Sequence, residues 1–443
     1  MGAVSKIIKS QPDFIKRILY RVVPFRYRYG PKFREFCKLL KDADNWSYDQ
    51  AKDYQLQKLR ELLLHCSSNV PYYSDLFKKN GFDPNIKDFD KLKNLPTLDK
   101  PTIKKNQSEL LSRKNKGKLH KFGTSGSTGE RLEFFGHDEL YKIEAAFVWN
   151  AYKDQGVTLY DKPSIWIRRY SPKEGDPISY EDKELKRHYM SAFHLNRETV
   201  CDYVTFINKS KIELLVSYPS TIHYLATLCR DADLVLTHVK YIHGASEVCL
   251  PSWRKTIKSE LGAEIKMHYG QIEKVSFAHQ DSSDDDYREN LLYGYNEFLE
   301  DGSIIATGFY NKAMPFLRYE TKDKALLKES PDLNGAFPKT IKDILGRDGD
   351  MLLTEKRSKV PAVNFYSFMG KVEEVDAFQI TQSKDTLEMD FFIIPNRKFN
   401  ESTKRNLVQE MYNRLGDIPV RIILTEELQR DQKTQKLKTI ALV

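Results

Sequence analysis

A run of glycines and hydroxyl side chains between residues 123 and 129, Gly-Thr-Ser-Gly-Ser-Thr-Gly, constrains this chain more than any other stretch. Glycines let the backbone turn sharply and point successive N–H groups at one spot, and the hydroxyls add donors beside them. The usual ligand of such a cradle is a polyphosphate. No Gly-Lys-Ser/Thr follows, so the run is not the common P-loop of NTPases. The alternative is a flexible Ser/Gly linker.

The residues around this run favour phosphate binding over a linker. Four lysines precede the run and three apolar side chains follow it, so it is flanked by positive charge and by a strand-like segment. These residues are Lys114, Lys116, Lys118 and Lys121 before it, and Leu132, Phe134 and Phe135 after it.

Length and cysteine content indicate a globular protein of several domains. With 443 residues the chain is too long for one ordinary core, and two or three domains are expected. No apolar run reaches the length of about 18 residues that a membrane-spanning helix needs. The start of the sequence lacks the apolar segment and small-residue cleavage site of a signal peptide, so no signal peptide is predicted. The five cysteines are scattered without a Cys-x-x-Cys pair, so neither a zinc site nor a disulfide framework is predicted, and a cytoplasmic location is expected.

Positive charge is concentrated at the N-terminus. Residues 1–40 hold ten Lys/Arg and two Asp/Glu, a net charge of +8, whereas the whole chain carries +9. This excludes a nucleic-acid surface over the whole protein and predicts a basic arm. After Pro12, apolar residues recur at helical spacing. The apolar stripe consists of Phe14, Ile15, Ile18, Leu19 and Val22, with Lys16, Arg17 and Arg21 on the other face.

Two interpretations of this N-terminal stripe stay open. It predicts either a helix that lies on an anionic membrane, at the inner face, or a helix whose stripe packs on the protein's own core.

The pattern of the remaining chain predicts an α/β fold. Between residues 137 and 270, helical patterns alternate with short apolar runs, which is typical of layers around a largely parallel sheet. After Gly346 a strand-like run, a helix and a second strand-like run predict a small α+β module. The predicted fold class is therefore a large layered α/β domain followed by a small α+β lid domain. The predicted helices before the lid lie at 139–151, 197–209, 218–230 and 251–261. The chain is predicted to divide into a basic N-terminal arm at 1–47, the large domain at 48–346 and the lid domain at 347–443.

Four further motifs follow the Gly/Ser/Thr run. Taken singly, each has an ordinary explanation as a strand end, a turn cap, a linker or a solvated tail. In chain order they are His268-Tyr269-Gly270-Gln271-Ile272-Glu273, the segment 311–323 that ends in Tyr319-Glu320-Thr321-Lys322-Asp323, Leu345-Gly346-Arg347-Asp348-Gly349-Asp350 and Lys433-Thr434-Gln435-Lys436-Leu437-Lys438.

The five motifs in this order resemble those of the adenylate-forming, AMP-binding superfamily. Within it the chain is most similar to the phenylacetate–CoA ligase-like branch, and within that branch to the subgroup associated with capsule and O-antigen biosynthesis. The resemblance covers about residues 50–440. Further matching segments lie at 68–73, 95–96, 217–220, 245–247 and 313–319.

The resemblance implies a role for each motif residue. Negative charge builds at the α-phosphorus during adenylation, and a lysine with Mg²⁺ offsets it. By resemblance, the β- and γ-phosphates of ATP are held by Thr124, Ser125, Gly126, Ser127, Thr128 and Gly129, and the adenine is lined by Ala245, Ser246 and Glu247. Tyr269 packs on the adenine ring, and Gly270 also belongs to the ATP-binding residues. Glu273 binds Mg²⁺, Asp323 binds the ribose with Arg347 nearby, and Lys436 is catalytic.

Four positions depart from the family's pattern. Ile272 replaces a hydroxyl residue before Glu273, and Lys322 replaces a glycine before Asp323. Gly349 stands where the hinge usually has Asp, and Gln435 replaces the glycine before Lys436. Lys438 is therefore a competing candidate for the catalytic lysine.

The resemblance implies an ATP-dependent acid–thiol or acid–amine ligase. Its cofactors would be ATP and Mg²⁺, its substrate a small carboxylic acid, and its acceptor CoA or an amine on a sugar or amino acid in polysaccharide biosynthesis. Two alternatives remain: an acyl-transfer enzyme like acyl-protein synthetases, and a catalytically weakened scaffold in a polysaccharide assembly complex. Four histidines are candidates for the acyl pocket or ordinary packed side chains: His188, His194, His223 and His243.

Overall fold

The computed structural model describes residues 3–115, 117–123, 132–157, 162–168, 170, 172, 176–347, 351–432 and 435–443. The chain forms two compact units. Unit 1 comprises Met1–Lys162, Lys183–Leu185 and His268–Ile344, and unit 2 comprises Pro163–Asp182, Lys186–Met267 and Leu345–Val443. None of the helices in the described ranges is both long and apolar enough to cross a membrane.

Unit 1 begins with helices and continues with antiparallel strands. Local signals set several helix ends: Ser47 and Gln50 form a capping box at the start of α5, and Pro71 begins α6. The helices are α1 (Ala3–Lys9), α2 (Asp13–Val22), α3 (Phe25–Tyr29), α4 (Pro31–Ala43), α5 (Tyr48–Asn69), α6 (Pro71–Asn80), α7 (Lys100–Lys105) and α8 (Glu139–Asp154), with the hairpin β1 (Leu119–Gly123) and β2 (Glu133–His137) before α8.

The later part of unit 1 is a sheet of antiparallel pairs. Its strands lie in the order β11-β12-β13-β14-β10-β9, and the end of β8 pairs with β9. Helices α5 and α6 contribute Leu59, Leu63 and Tyr73 to a core shared with Met314 and Phe316. The strands are β8 (Ile265–Gly270), β9 (Phe277–Gln280), β10 (Tyr287–Glu289), β11 (Gly294–Phe298), β12 (Ser303–Gly308), β13 (Tyr319–Asp332) and β14 (Lys339–Arg347).

Unit 2 contains the parallel strands that the sequence predicts. Strands β7, β6, β3 and β5 run parallel in that order, and β4 pairs antiparallel with β5. All four residues of β6 are buried, in keeping with its continuous apolar run. The elements are β3 (Ser164–Arg168), β4 (Ser179–Asp182), β5 (Arg187–Ser191), α9 (Val200–Ser210), β6 (Leu214–Ser217), α10 (Pro219–Asp231), β7 (Tyr241–Ala245) and α11 (Pro251–Leu261).

The C-terminal part of unit 2 is a small α+β module. Its four-stranded sheet has the order β19-β18-β17-β20. Phe378, Phe391 and Leu407 are among its buried side chains. The elements are β15 (Met351–Leu353), β16 (Lys359–Pro361), α12 (Val363–Met369), β17 (Val375–Gln382), β18 (Met389–Pro395), α13 (Glu401–Leu415), β19 (Val420–Leu424) and β20 (Ile440–Leu442).

The predicted fold class is confirmed. The four helices expected between residues 139 and 261 are present as α8, α9, α10 and α11, and the predicted α+β module follows Gly346. The division of the chain into 1–47, 48–346 and 347–443 stays a prediction.

Candidate functional site

Tyr269 and Asp323, predicted from separate motifs, are in direct contact in unit 1. The Tyr269 hydroxyl, at the end of β8, donates a hydrogen bond of 2.9 Å to Oδ2 of Asp323 in β13. Gln271 Nε2 donates to the same carboxylate oxygen at 3.3 Å. Both Tyr269 and Asp323 are at least nine-tenths buried. Burial, and then the charge of Asp323, raise the pKa of Tyr269 well above its usual value, so the phenol remains a hydrogen-bond donor.

Glu273 is a buried carboxylate in the same unit. Its side chain is 4% exposed, and Oε1 accepts a hydrogen bond of 2.9 Å from the Tyr319 hydroxyl. Among the described residues, Oε2 of Glu273 accepts no hydrogen bond. A buried carboxylate with one oxygen tethered in this way is a suitable oxygen ligand for Mg²⁺.

Two glycines position the segment that carries Glu273. Gly294 of β11 and Gly308 of β12 are directly opposite each other across the strand pair. A Cβ on Gly308 would collide with the carbonyl oxygen of Lys274, and a Cβ on Gly294 with that of Val275. The glycines therefore let the 274–275 backbone lie directly against the sheet. The sequence does not predict this role, because nothing local marks which distant backbone approaches a strand glycine.

In unit 2, the predicted adenine segment follows directly after β7. Ala245 is buried at the strand end, and Ser246 has a positive φ of 73°, which turns the chain out of the sheet. The Glu247 carboxylate then bridges two backbone groups. Its Oε2 accepts from the Ser220 N–H at 3.2 Å, and its Oε1 accepts from the Leu437 N–H at 3.0 Å.

Lys436, the predicted catalytic residue, lies beside this segment in unit 2. Its ammonium donates to the carbonyl oxygen of Ser246 at 3.3 Å, and it lies 5.6 Å from the ring centroid of Tyr218. Lys438 is held differently, since its carbonyl oxygen accepts a hydrogen bond of 2.9 Å from Gln379 Nε2. The Lys436 ammonium thus contacts the predicted adenine segment.

Arg430 holds the backbone on both sides of the contact between Lys436 and Ser246. Its Nη1 donates to Oγ of Ser220 at 2.9 Å and to the carbonyl oxygen of Gln435 at 3.1 Å, while Nη2 donates to the carbonyl oxygen of Ser220 at 3.3 Å. Gln435 has a positive φ of 58°. The sequence does not predict the role of Arg430, because its partner Ser220 is 210 residues away.

Three predicted elements have a limited structural description. The residues Thr124–Gly129 of the predicted phosphate loop lie outside the described residues, as does Gly349. Strand β1 ends at Gly123 and strand β2 begins at Glu133, on either side of the predicted loop. Arg347 is the last residue of β14, after Gly346 with its positive φ of 94°. Within the described ranges, no group of three or more His, Cys, Asp and Glu side chains is placed to hold a metal ion.

A polar cavity of about 900 Å³ lies within unit 2. It is lined by side chains of α10, α11 and the C-terminal module, including His223, Trp253, Arg230 and Asp376. His223 is 3% exposed and stacks on Trp253 with 5.3 Å between ring centroids. Burial lowers the pKa of His223 to about 3, so its imidazole is neutral at ordinary pH. Arg230 pairs with Asp376 through both guanidinium Nη atoms, at 3.1 and 2.7 Å.

Comparisons with known proteins agree with this architecture. No family profile matches the chain. Protein CapK from Staphylococcus aureus is 25% identical over 398 residues, which cover 87% of this chain and 86% of CapK.

The solved structure of 2-hydroxyisobutyryl-CoA ligase in the postadenylation state, bound to an acyl-AMP, aligns with a TM-score of 0.67 at 14% identity over 88% of each chain. The same ligase with acyl-AMP and CoA, in the thioesterification state, aligns with a TM-score of 0.55 at 16% identity over 89% of this chain and 90% of that one. The chain therefore has the fold of 2-hydroxyisobutyryl-CoA ligase.

Proposed function

We propose that this protein is an ATP-dependent ligase that activates a small carboxylic acid as an acyl-adenylate. The observation that carries this proposal is the contact of the Lys436 ammonium with Ser246, 3.3 Å from its carbonyl oxygen. In adenylation the acid attacks the α-phosphorus of ATP, pyrophosphate leaves, and negative charge builds on the phosphoryl oxygens. A lysine held beside the nucleotide stabilises that charge in the transition state.

Asp323 and Tyr269 would hold the nucleoside in this proposal. A carboxylate accepts both hydroxyls of a ribose, and the hydrogen bond from Tyr269 orients the carboxylate before ATP arrives. Preorganisation of this kind lowers the entropy lost on binding. The ring of Tyr269 would pack on the adenine, and Ala245, Ser246 and Glu247 would line its edge.

Glu273 would hold the metal ion, and Thr124–Gly129 the β- and γ-phosphates. Mg²⁺ supplies positive charge that offsets the phosphate oxygens of ATP. The tether from Tyr319 keeps the Glu273 carboxylate in one orientation. A single protein carboxylate is sufficient for this role, because Mg²⁺ in nucleotide sites takes most of its ligands from phosphates and water.

We infer that the acyl group then passes to CoA or to an amine on a sugar or amino acid. The solved ligase with this fold contains CoA beside its acyl-AMP, which supports the thiol acceptor. The motif resemblance to the capsule and O-antigen subgroup supports the amine acceptor and a role in polysaccharide biosynthesis. In either case residues 347–443 would act as a lid that turns at the Gly346–Asp350 segment between the two half-reactions.

An exchange assay with ATP and radiolabelled pyrophosphate tests the proposal. The panel should contain sugar acids, amino acids, short hydroxy acids and aryl acids, with Lys436→Ala as the matched inactive control. We expect exchange with one acid class in the wild type and a large loss in the control. Products formed with CoA or with amino sugars then identify the acceptor.

The alternatives give different results in the same assay. A transferase-like enzyme that only receives an acyl group would transfer a supplied acyl group without ATP–pyrophosphate exchange. A scaffold would neither exchange pyrophosphate nor bind ATP, even though circular dichroism shows a folded chain. Either result would contradict the ligase assignment.

A further inference from the structure

The apolar stripe of α2 points away from the protein. Phe14, Ile18 and Val22 recur every four residues and share one face of the helix, yet they are 74, 46 and 68% exposed. Of the other two members of the stripe, Ile15 is 39% exposed and Leu19 is half-buried. No residue of α2 is buried. The sequence left open whether the stripe packs on the protein's own core or lies on a membrane. In the structure the stripe does not serve as a contact with the core of unit 1.

Neighbouring helices hold α2 at both ends. In α1, Ser5 donates a hydrogen bond to the Glu184 carboxylate, and Lys9 pairs with it at 2.7 Å. In α3, the buried Arg28 donates through Nη1 to the carbonyl oxygens of Lys183 and Glu184, at 2.9 and 2.8 Å. Because α1 and α3 are both tied to the 183–184 segment of unit 1, the helix between them is presented in a defined orientation.

Positive charge accompanies the exposed stripe. Arg17 and Arg21, which the sequence predicted on the opposite face, are exposed on the strip next to Phe14, one turn apart. The only acidic residue of α2, Asp13, pairs with Lys16 at 3.1 Å. Beyond α2, Lys6 and Arg26 are also exposed. An exposed apolar stripe beside guanidinium groups that pair with no carboxylate in the described part of the chain matches the chemistry of an anionic lipid surface.

We propose that α2 docks this protein on an anionic phospholipid bilayer. Phe14, Ile18 and Val22 enter the boundary between headgroups and acyl chains, while Arg17 and Arg21 contact lipid phosphates. A second copy of the chain fits less well, because a symmetric contact through this face would bring Arg17 and Arg21 of one copy close to the same cations of the other. This inference goes beyond the ligase activity and does not depend on it.

Co-sedimentation of the full-length protein with vesicles tests the proposal. Vesicles of phosphatidylcholine alone are compared with vesicles that also contain phosphatidylglycerol, at about 0.05 M and about 0.5 M salt. We expect binding to the anionic vesicles at low salt and at least tenfold weaker partitioning at high salt. Phe14→Ser with Ile18→Ser, and separately Arg17→Gln with Arg21→Gln, should each weaken partitioning at least tenfold.

Matched controls separate docking from general surface effects. Leu299→Ser with Leu326→Ser removes two exposed apolar side chains elsewhere in unit 1, and Lys78→Gln with Lys79→Gln removes two exposed cations from α6. Both control variants should bind like the wild type. Three results would overturn the proposal: no binding of the wild type to anionic vesicles at low salt, equal loss in the controls, or a wild-type dimer that Phe14→Ser with Ile18→Ser converts to a monomer.

Discussion

The backbone N–H of Leu437 donates a hydrogen bond of 3.0 Å to Oε1 of Glu247. The other oxygen of the same carboxylate accepts from the Ser220 N–H, just after the start of α10. One side chain therefore connects the residue after Lys436 with the start of α10 and the end of β7. Since Arg430 also binds Ser220 and Gln435, the Lys436 backbone is fixed from both sides.

Arg430→Ala should impair adenylation without impairing ATP binding. The variant loses three hydrogen bonds from a charged donor, each contributing about 1.5–3 kcal/mol when fully formed. Because Lys436 acts in the transition state, its looser placement should lower kcat for pyrophosphate exchange about tenfold or more and leave the KM for ATP within about twofold.

Arg414→Ala is the matched control for this prediction. Arg414 lies in the C-terminal module and pairs with Glu410 one turn earlier on α13. Its loss should leave exchange near the wild-type rate. An equal loss of activity in both variants would mean that Arg430 only stabilises the module.

The sequence predicts the residues of this site better than the contacts between them. Lys436, Asp323 and Glu273 were predicted because each sits in a short motif with ordered neighbours along the chain. The contact of Arg430 with Ser220 crosses 210 residues and has no local pattern. Helical spacing likewise identifies the stripe of α2 but does not say which side of the helix faces the core. That outcome depends on tertiary contacts, here those of Arg28 with the 183–184 backbone.

Lys436→Ala should lower adenylation by about a hundredfold or more, in the range seen when one oxyanion-type donor is removed. Lys438→Ala should lower the adenylation rate far less, because a backbone contact holds Lys438 in the C-terminal module. This contact is the hydrogen bond from Gln379 to the Lys438 carbonyl oxygen. Steady-state pyrophosphate exchange compares the two variants. ATP affinity, measured by calorimetry, should change little in either, since the lysine stabilises charge that develops only in the transition state.

Transfer from chemically supplied acyl-adenylate should survive in Lys436→Ala. If Lys438→Ala instead abolishes pyrophosphate release while Lys436→Ala keeps it, the catalytic assignment moves two residues along the chain.

Asp323→Ala should weaken ATP binding at least tenfold. The proposed ribose contact uses charge-assisted hydrogen bonds, and their loss costs about 1.5–3 kcal/mol. Tyr269→Phe keeps the ring for adenine packing and removes only the hydroxyl that donates to Asp323. Its effect on affinity should therefore be smaller than that of Asp323→Ala. Unchanged ATP affinity of Asp323→Ala in calorimetry would refute the ribose assignment.

His223 should make unit 2 sensitive to acid. Its pKa is about 3 when folded, because burial disfavours the charged ring, whereas the unfolded value is about 6.5. Between these values the unfolded chain binds a proton that the folded chain does not, so the free energy of unfolding falls as pH falls, by up to about 1.4 kcal/mol per pH unit.

His223→Gln removes this contribution, and its unfolding midpoint should decline less steeply than that of the wild type between pH of about 6.5 and about 4.5. Parallel acid profiles for wild type and His223→Gln would show that the buried imidazole is not the titrating group.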